Sequence, residues 1–561
     1  MLKKIPAALI FVAAVLMVAV IVTSWGQGTD DNLYANIKLF DRVAISLNSK
    51  YVEEVDSREL IYTGIRAMLQ SLDPYTQFFE KSDYDELMVQ TKGKFGGLGI
   101  EIGIRDEWLT VISPIVGTPA YEIGLQAGDR IVKIEGESTE GITTQEAVKK
   151  LRGPKGTEVT ITIEREGELA SIDYTITRDI IEIKSVPFYD QIEPGIGYIH
   201  LARFSENAEH ELEAALEDLV DEDLEGLILD LRNNPGGLLP QAVHVADLFL
   251  DQGQLLVYTL GRASNSSAQY KAKREPLYGQ KPLIILVNRG SASASEIVSG
   301  AVQDWDRGII LGTNTWGKGL VQTIIPTDQE TALKLTTAKY YTPSGRCIQR
   351  DNGEEGDPET LAELNSEETP GLPEENPGEE IEREEFKTAG GRIVYGGGGI
   401  TPDVIVEQDR LSTLEYELLR KSMFFRFAVK YVARHDEIPR DLEVNDQLLA
   451  EFKSFLKEEE FTYTSAAEKQ LQDLEEIIEE KEYNSGIQTT LAQLRDQLAA
   501  EKEDDLQRSE DYIRKTLKLE IISKRYGREA RYEQGVKMDP QITAALEILT
   551  TPGRYQRELG S

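Results

Sequence analysis

The chain has little sulfur chemistry to offer: Cys347 is its only cysteine in 561 residues. An intrachain disulfide is therefore excluded, as is a cysteine-based metal cluster. A lone cysteine is more often an inert small residue than a nucleophile. Histidine is nearly as scarce. His200, His210, His244 and His435 are the four, and no HExxH or His-rich spacing links them. That sets a zinc hydrolase aside, and no metal or other cofactor is expected. Basic residues are outnumbered, with 61 Lys and Arg against 98 Asp and Glu and a net charge of −37. Nucleic acid is a poor partner on that balance, because binding it needs clustered Lys and Arg. The acidity describes a soluble, self-repelling surface.

What is present begins with a targeting segment. Lys3 and Lys4 precede an uncharged, mostly apolar run from Ile5 to Trp25, long enough for a tilted membrane helix. No clear Ala-x-Ala site follows, so residues 1–30 read as an uncleaved anchor in preference to a cleaved signal peptide, with the basic flank inside and the rest exported. Residues 31–92 read as helical, because Leu33, Ile37, Phe40, Val43, Ala44 and Leu47 recur at helical spacing and a second run covers Leu60 to Leu72. Such a region could be a packing arm, a dimer interface or part of a core.

Residues 93–180 form a small β-rich module. Strand-like runs cover 109–112, 130–134 and 158–163, with one helix at 144–151. Thr143 is the expected N-cap of that helix, Glu146 completes a capping box, and Gly153-Pro154 ends it. Residues 181–410 alternate strands (196–201, 226–231, 283–287, 309–311, 333–341) with helices (209–219, 241–250, 296–305), the pattern of an α/β core. Within it, the Glu-, Pro- and Gly-rich stretch 351–385 reads as a disordered or loosely ordered insertion. Residues 411–561 read as a helical C-terminal domain, either an interaction or oligomerisation element or an ordinary solvated domain.

The chemistry concentrates in a few turns. The apolar run Pro282–Val287 leads through Gly290-Ser291-Ala292-Ser293-Ala294-Ser295-Glu296 into a helix, an order that presents a side chain at a helix N-terminus, where negative charge is favoured. Ser293 is the candidate nucleophile, and it needs a base. Lys318 lies between Gly317 and Gly319 and can serve only if desolvation favours its neutral form. On residue chemistry alone, a helix cap and a solvated lysine are the plainer readings, and histidine is not excluded as the base. Gln322 can orient Lys318 only if the glycines bend or coil the chain, since a fully extended strand separates their Cα atoms by roughly 13 Å; a satisfied structural glutamine is the alternative. The turn Asp230-Leu231-Arg232-Asn233-Asn234-Pro235-Gly236-Gly237 follows a buried strand, and its glycine amides could donate to an oxyanion; an ordinary Pro-Gly turn is the alternative. Gly96-Gly97-Leu98-Gly99-Ile100 could offer N–H groups to a terminal carboxylate, with the peptide adding as a strand.

Together the SASASEI, GKGLVQ and LRNNPGG runs, with the β-rich module upstream, closely resemble the carboxyl-terminal processing peptidases. These tail-specific proteases are serine peptidases of family S41 with an inserted PDZ domain. The resemblance covers roughly residues 34–345 and resumes around 388–406. It implies a multidomain α/β fold: a crotonase-like or ClpP-like peptidase core, an inserted β-rich PDZ domain, and helical N- and C-terminal regions. It also implies a Ser–Lys pair at Ser293 and Lys318, a supporting glutamine at Gln322, oxyanion donors at Gly237 and Ala294, and a carboxylate loop at Leu98, Gly99 and Ile100. Ser291 and Ser295 then become turn and helix-cap residues. The implied activity is endoproteolysis of exported proteins near apolar C-termini captured by the PDZ domain. The implied setting is a bacterial periplasm, with an inner-membrane anchor and a homodimer through the N- or C-terminal helices. A non-catalytic PDZ scaffold and an apolar-ligand-binding protein on the same fold are the rivals. Trp316 stands where phenylalanine is usual, and the pattern explains neither the acidic insertion nor the tail after about 410.

Overall fold

The computed structural model describes residues 30–220, 224–328, 330–350, 383–408, 410–435, 437–480 and 485–560. Nearly all of the anchor expected over residues 1–30 and of the acidic insertion 351–385 lies outside the described residues. No helix among the described residues is long and apolar enough to cross a membrane.

The described chain forms two bodies. The smaller combines residues 30–79 with 324–335. Its helices are Asp30–Lys50 and Ser57–Gln70, and Asp56 caps the second by accepting from the Arg58 and Glu59 amides. The first helix leaves Leu33, Ile37, Phe40, Val43 and Leu47 exposed. Beyond the helices expected here, Gln77–Phe79 is a strand, antiparallel to Ala332–Lys334. Three residues are too few to carry a period-2 signal, so periodicity misses it.

In the larger body the β-rich module is an antiparallel sheet ordered Ile100–Arg105, Trp108–Pro114, Arg130–Ile134, Glu158–Glu164, Ile172–Thr177. Alternation along these strands buries Leu109, Val111, Ile131, Val159, Ile161 and Ile163, with Ala147 and Leu151 of helix Thr144–Leu151 packed on them. The helix starts in the capping box that the Thr143/Glu146 spacing predicts. Ile100–Arg105 is an edge strand, paired among the described residues only with Trp108–Pro114. The module enters and leaves through a paired ribbon, Lys94–Gly97 against Asp179–Glu182.

The core sheet is ordered Phe188–Glu193, Ile196–His200, Gly226–Asp230, Leu283–Val287, Ile309–Gly312, Val404–Ile405; its first pair is antiparallel and the rest are parallel. Its central strands are unbroken apolar runs because both faces are covered. Helices Ala208–Val220, Leu239–Asp247 and Ala294–Asp304 cover one face. The middle helix begins two residues earlier than its periodicity suggests, with Pro240 in its first turn, where a missing N–H costs nothing. The other face is covered from the C-terminal region: Ile542, Ala545, Ile548 and Tyr555 pack on Ile228, Ile284, Leu286, Ile309 and Leu311. The rest of that region has its own core, in which Phe424, Phe427, Phe452 and Phe455 meet Leu517 and Ile521. The parallel strands end at Asp230, Val287 and Gly312, and the loops that follow them carry the candidate residues.

Candidate active site

After Val287 the chain turns sharply and enters the helix Ala294–Asp304 through Ser293, whose φ of +51° and ψ of −108° are off the ordinary regions for a residue with a Cβ. The Glu296 amide donates to the Ser293 carbonyl at 2.9 Å, and the Glu296 carboxylate reaches back to the Ser293 amide at 2.8 Å. Ser293, not Ser295, therefore occupies the cap position. Ser295 lies inside the first helical turn, where its hydroxyl donates to the Asn234 carbonyl at 2.8 Å. Ser291 donates to the Leu231 carbonyl at 2.7 Å and accepts from the Asn288 amide. The two flanking serines thus fasten the serine turn to the 230–237 loop.

Ser293 and Lys318 are brought together through their backbones. The buried Glu296 carboxylate accepts at Oε2 from the amides of Ser293 (2.8 Å) and Lys318 (3.0 Å). Its Oε1 accepts from the Thr315 hydroxyl (2.6 Å) and the Gly317 amide (2.8 Å). On the carbonyl side, Tyr340 Oη lies 2.5 Å from the Lys318 oxygen and 3.1 Å from that of Ser293, so its one proton is shared between them. Gly317, at φ +95°, provides the bend that brings the chain in. Lys318 is 4 % exposed, so its side chain is withdrawn from bulk water. Burial pushes the Glu296 carboxyl up to about 7, against the pull of its four donors.

The 230–237 loop closes over the same turn. Gly236 has φ +100°, and a Cβ there would lie 2.8 Å from the Ala294 nitrogen and 2.9 Å from Ser293 Cβ, so only glycine permits this approach. The Gly236 amide donates to Asn234 Oδ1, and the Gly236 carbonyl accepts from the Phe204 amide. Among the described residues the amides of Gly237 and Ala294 donate to no protein acceptor. Gln322 lies on the strand Leu320–Pro326, and its side-chain amide makes a long 3.4 Å contact to Thr336 Oγ1. That contact engages only the Nε2 side of the amide and leaves the Oε1 acceptor outside it.

In the β-rich module Gly99 has φ +80° and packs so tightly that an added Cβ would be 2.2 Å from Thr118 Cβ. The Gly99 carbonyl accepts from the Ile115 amide and the Thr118 hydroxyl, and the Leu98 carbonyl from the Ala120 amide. With the carbonyls turned inward, the Leu98 and Gly99 amides meet no protein acceptor among the described residues. Ile100 opens the edge strand.

Sequence reasoning missed Glu296 and Tyr340. Glu296 carried a signal, since it stands three residues after Ser293 at capping-box spacing; Tyr340, within a strand, carried none. Residues 195–358 match the model of peptidase family S41, residues 110–165 a PDZ domain, and residues 414–549 the model described as "Probable PDZ-protease, C-terminal helical domain". The carboxy-terminal-processing protease of Bartonella bacilliformis is 44% identical over 62% of this chain and 81% of its own length. The chain belongs to the carboxy-terminal processing proteases of peptidase family S41. This protease is also 39% identical to the carboxyl-terminal-processing protease of Synechocystis sp., over 54% of this chain and 72% of that one. Among solved structures it is similar to the photosystem II D1 C-terminal processing protease, at 33% identity over 54% of this chain and 85% of that one, with a TM-score of 0.34. As a member of the family it is a serine-type peptidase acting on peptide substrates.

Proposed function

We propose that this protease cuts exported proteins near their C-termini, with Ser293 as nucleophile and Lys318 as its base. The observation that carries the reading is the shared clamp, in which one carboxylate holds the amides of both residues while Tyr340 spans their carbonyls. Neutral Lys318 Nζ takes the Ser293 hydroxyl proton as Oγ bonds to the scissile carbonyl carbon. The resulting oxyanion receives the N–H groups of Gly237 and Ala294. The Lys318 ammonium then passes its proton to the leaving amine as the C–N bond breaks. A water, deprotonated by the same lysine, releases the acyl group. Gln322 would steady the lysine by accepting from its Nζ at Oε1, which the Thr336 contact leaves available.

The PDZ domain would hold an apolar C-terminus, its carboxylate on the Leu98 and Gly99 amides and its backbone added beside the Ile100–Arg105 edge. The core is read as crotonase-like or ClpP-like. The Ile5–Trp25 segment would anchor the protease to the inner membrane of a bacterial cell, facing the periplasm, and the exposed apolar side chains of helix Asp30–Lys50 suit a second copy of the chain. The test incubates wild type, Ser293→Ala and Lys318→Ala with an unfolded protein that ends in apolar residues. Cleavage by the wild type alone is expected. Full proteolysis by Ser293→Ala would overturn the assignment, and no cleavage by any version would favour a binding protein on the same fold.

A further inference from the structure

Arg232 opens the loop that carries Gly237, and its guanidinium is almost enclosed, with the side chain 10% exposed. Its Nε and Nη2 face Asp230, whose Oδ2 also accepts from the Tyr198 hydroxyl at 2.8 Å. The remaining nitrogen, Nη1, is satisfied from over 300 residues away. It donates to Asp539 Oδ2 and to Gln541 Oε1, each at 2.8 Å. Asp539 divides its two oxygens between two tasks. Oδ1 caps the helix Pro540–Thr550 by accepting from the Gln541 and Ile542 amides, and Oδ2 is left for Arg232. Gln541 is fully buried and is fixed in turn by donating Nε2 to the Val406 carbonyl at 2.7 Å. Burial works against both charges of the Asp230–Arg232 pair, but their mutual attraction prevails, holding the carboxyl below its usual range and the guanidinium above its own.

What Arg232 holds is the loop beside Ser293. Its neighbour Leu231 accepts from Ser291, Asn234 accepts from Ser295 and from the Ala292 amide, and Gly236 touches the serine turn. A shift of Arg232 is therefore passed to the Gly237 amide through backbone, with no flexible side chain between. We infer that Asp539 and Gln541 are positioning residues for the peptidase centre, acting through Arg232 to hold the 231–237 loop against Ser293. The inference rests on the assignment of Ser293 and Gly237 made above. It gives the C-terminal helical region a part in catalysis that its distance in sequence conceals.

Asp539→Asn tests it with the helix cap kept, because asparagine caps a helix as well as aspartate does. Asparagine has one acceptor oxygen where aspartate has two, so with the cap kept, an NH2 group faces Arg232. Expected is a kcat on a fluorogenic peptide with an apolar C-terminus lower by about tenfold, with KM within about twofold, since the loss falls on the transition state rather than on binding. Asp539→Ser, which also keeps a cap, should behave alike. In an Arg232→Lys background Asp539→Asn should cost little more, since both changes cut the same link. An unchanged kcat in both position-539 variants would overturn the inference. So would a loss matching the fall in folded fraction by circular dichroism, or full additivity with Arg232→Lys. Ser293→Ala is assayed beside them. If it is inactive while Asp539→Asn works normally, this inference alone fails; if it is fully active, the nucleophile assignment fails and this inference with it.

Discussion

Gly236→Ala probes the close approach on which the site depends. At φ +100° an alanine is strained wherever it sits, by about 1–2 kcal/mol. The new methyl would also lie 2.8 Å from the Ala292 oxygen, 2.8 Å from the Ala294 nitrogen and 2.9 Å from Ser293 Cβ. None of these is the tip of a flexible side chain, and the bonds of Ser291, Ser295 and Glu296 hold the turn in place. Such overpacking adds about 1–3 kcal/mol, for a total of about 2–5 kcal/mol. The activity should fall further than the stability suggests. Any relief of the clash moves the serine turn away from the Gly237 amide, and a displacement of about 1 Å can cost about 100-fold. Gly253→Ala is the control, because Gly253 has φ +91° with nothing within 4 Å of the added Cβ. It carries the backbone strain without the clash. Thermal unfolding and kcat/KM on one peptide are measured for both. The reasoning is refuted if the two variants match in kcat/KM within about twofold.

Two further outcomes follow from the clamp. Tyr340→Phe deletes one hydroxyl; the Ser293 carbonyl keeps the Glu296 and Ile297 amides, while the Lys318 carbonyl loses its bond, so urea unfolding should show a loss of about 1–3 kcal/mol with kcat reduced more than KM is raised. Unchanged stability and kcat would contradict the clamp. The second outcome concerns pH: the Glu296 carboxyl, near 4.5 when unfolded, is raised to about 7 in the fold, so the native state holds its proton more tightly. The stability it contributes is fully present below 4.5 and lost as pH rises through about 7, a change of about 3 kcal/mol. The stability of the wild type relative to Glu296→Gln, from urea midpoints at pH 5 and pH 8, should therefore fall with rising pH, and a rise would count against the burial argument.

Some of this was legible before the structure. Helix Thr144–Leu151 announced itself through a local cap and a local stop, and the buried strands through their unbroken apolar runs. The serine turn and the Gly236-Gly237 turn were visible as small-residue breaks after such strands. What escaped depends on side chains meeting across long separations. Spacing alone does not say which serine of the run caps the helix; the resemblance leaves that part to Ser295, and the positive φ at Ser293 gives it to Ser293 instead. The role of Gln322 comes from the family resemblance and not from spacing, and its side-chain contact, Nε2 to Thr336 Oγ1, lies on the neighbouring strand, a partner that sequence distance does not suggest. The helices near residue 540 looked like a separate appendage, since an amphipathic helix does not state which sheet it will cover.

The covering segment from Pro540 to Leu559 sets a timetable for the molecule. Tyr555 bonds the Leu283 backbone through its hydroxyl, across a separation of 272 residues. A ribosome adding about 5–20 residues per second spends tens of seconds between these two points. For that interval Ile284, Leu286, Ile309 and Leu311 have no partner from the Pro540–Thr550 helix, and Arg232 has no Asp539. A half-made chain thus leaves one apolar face of the core sheet uncovered and, on the inference above, the loop beside Ser293 without its brace.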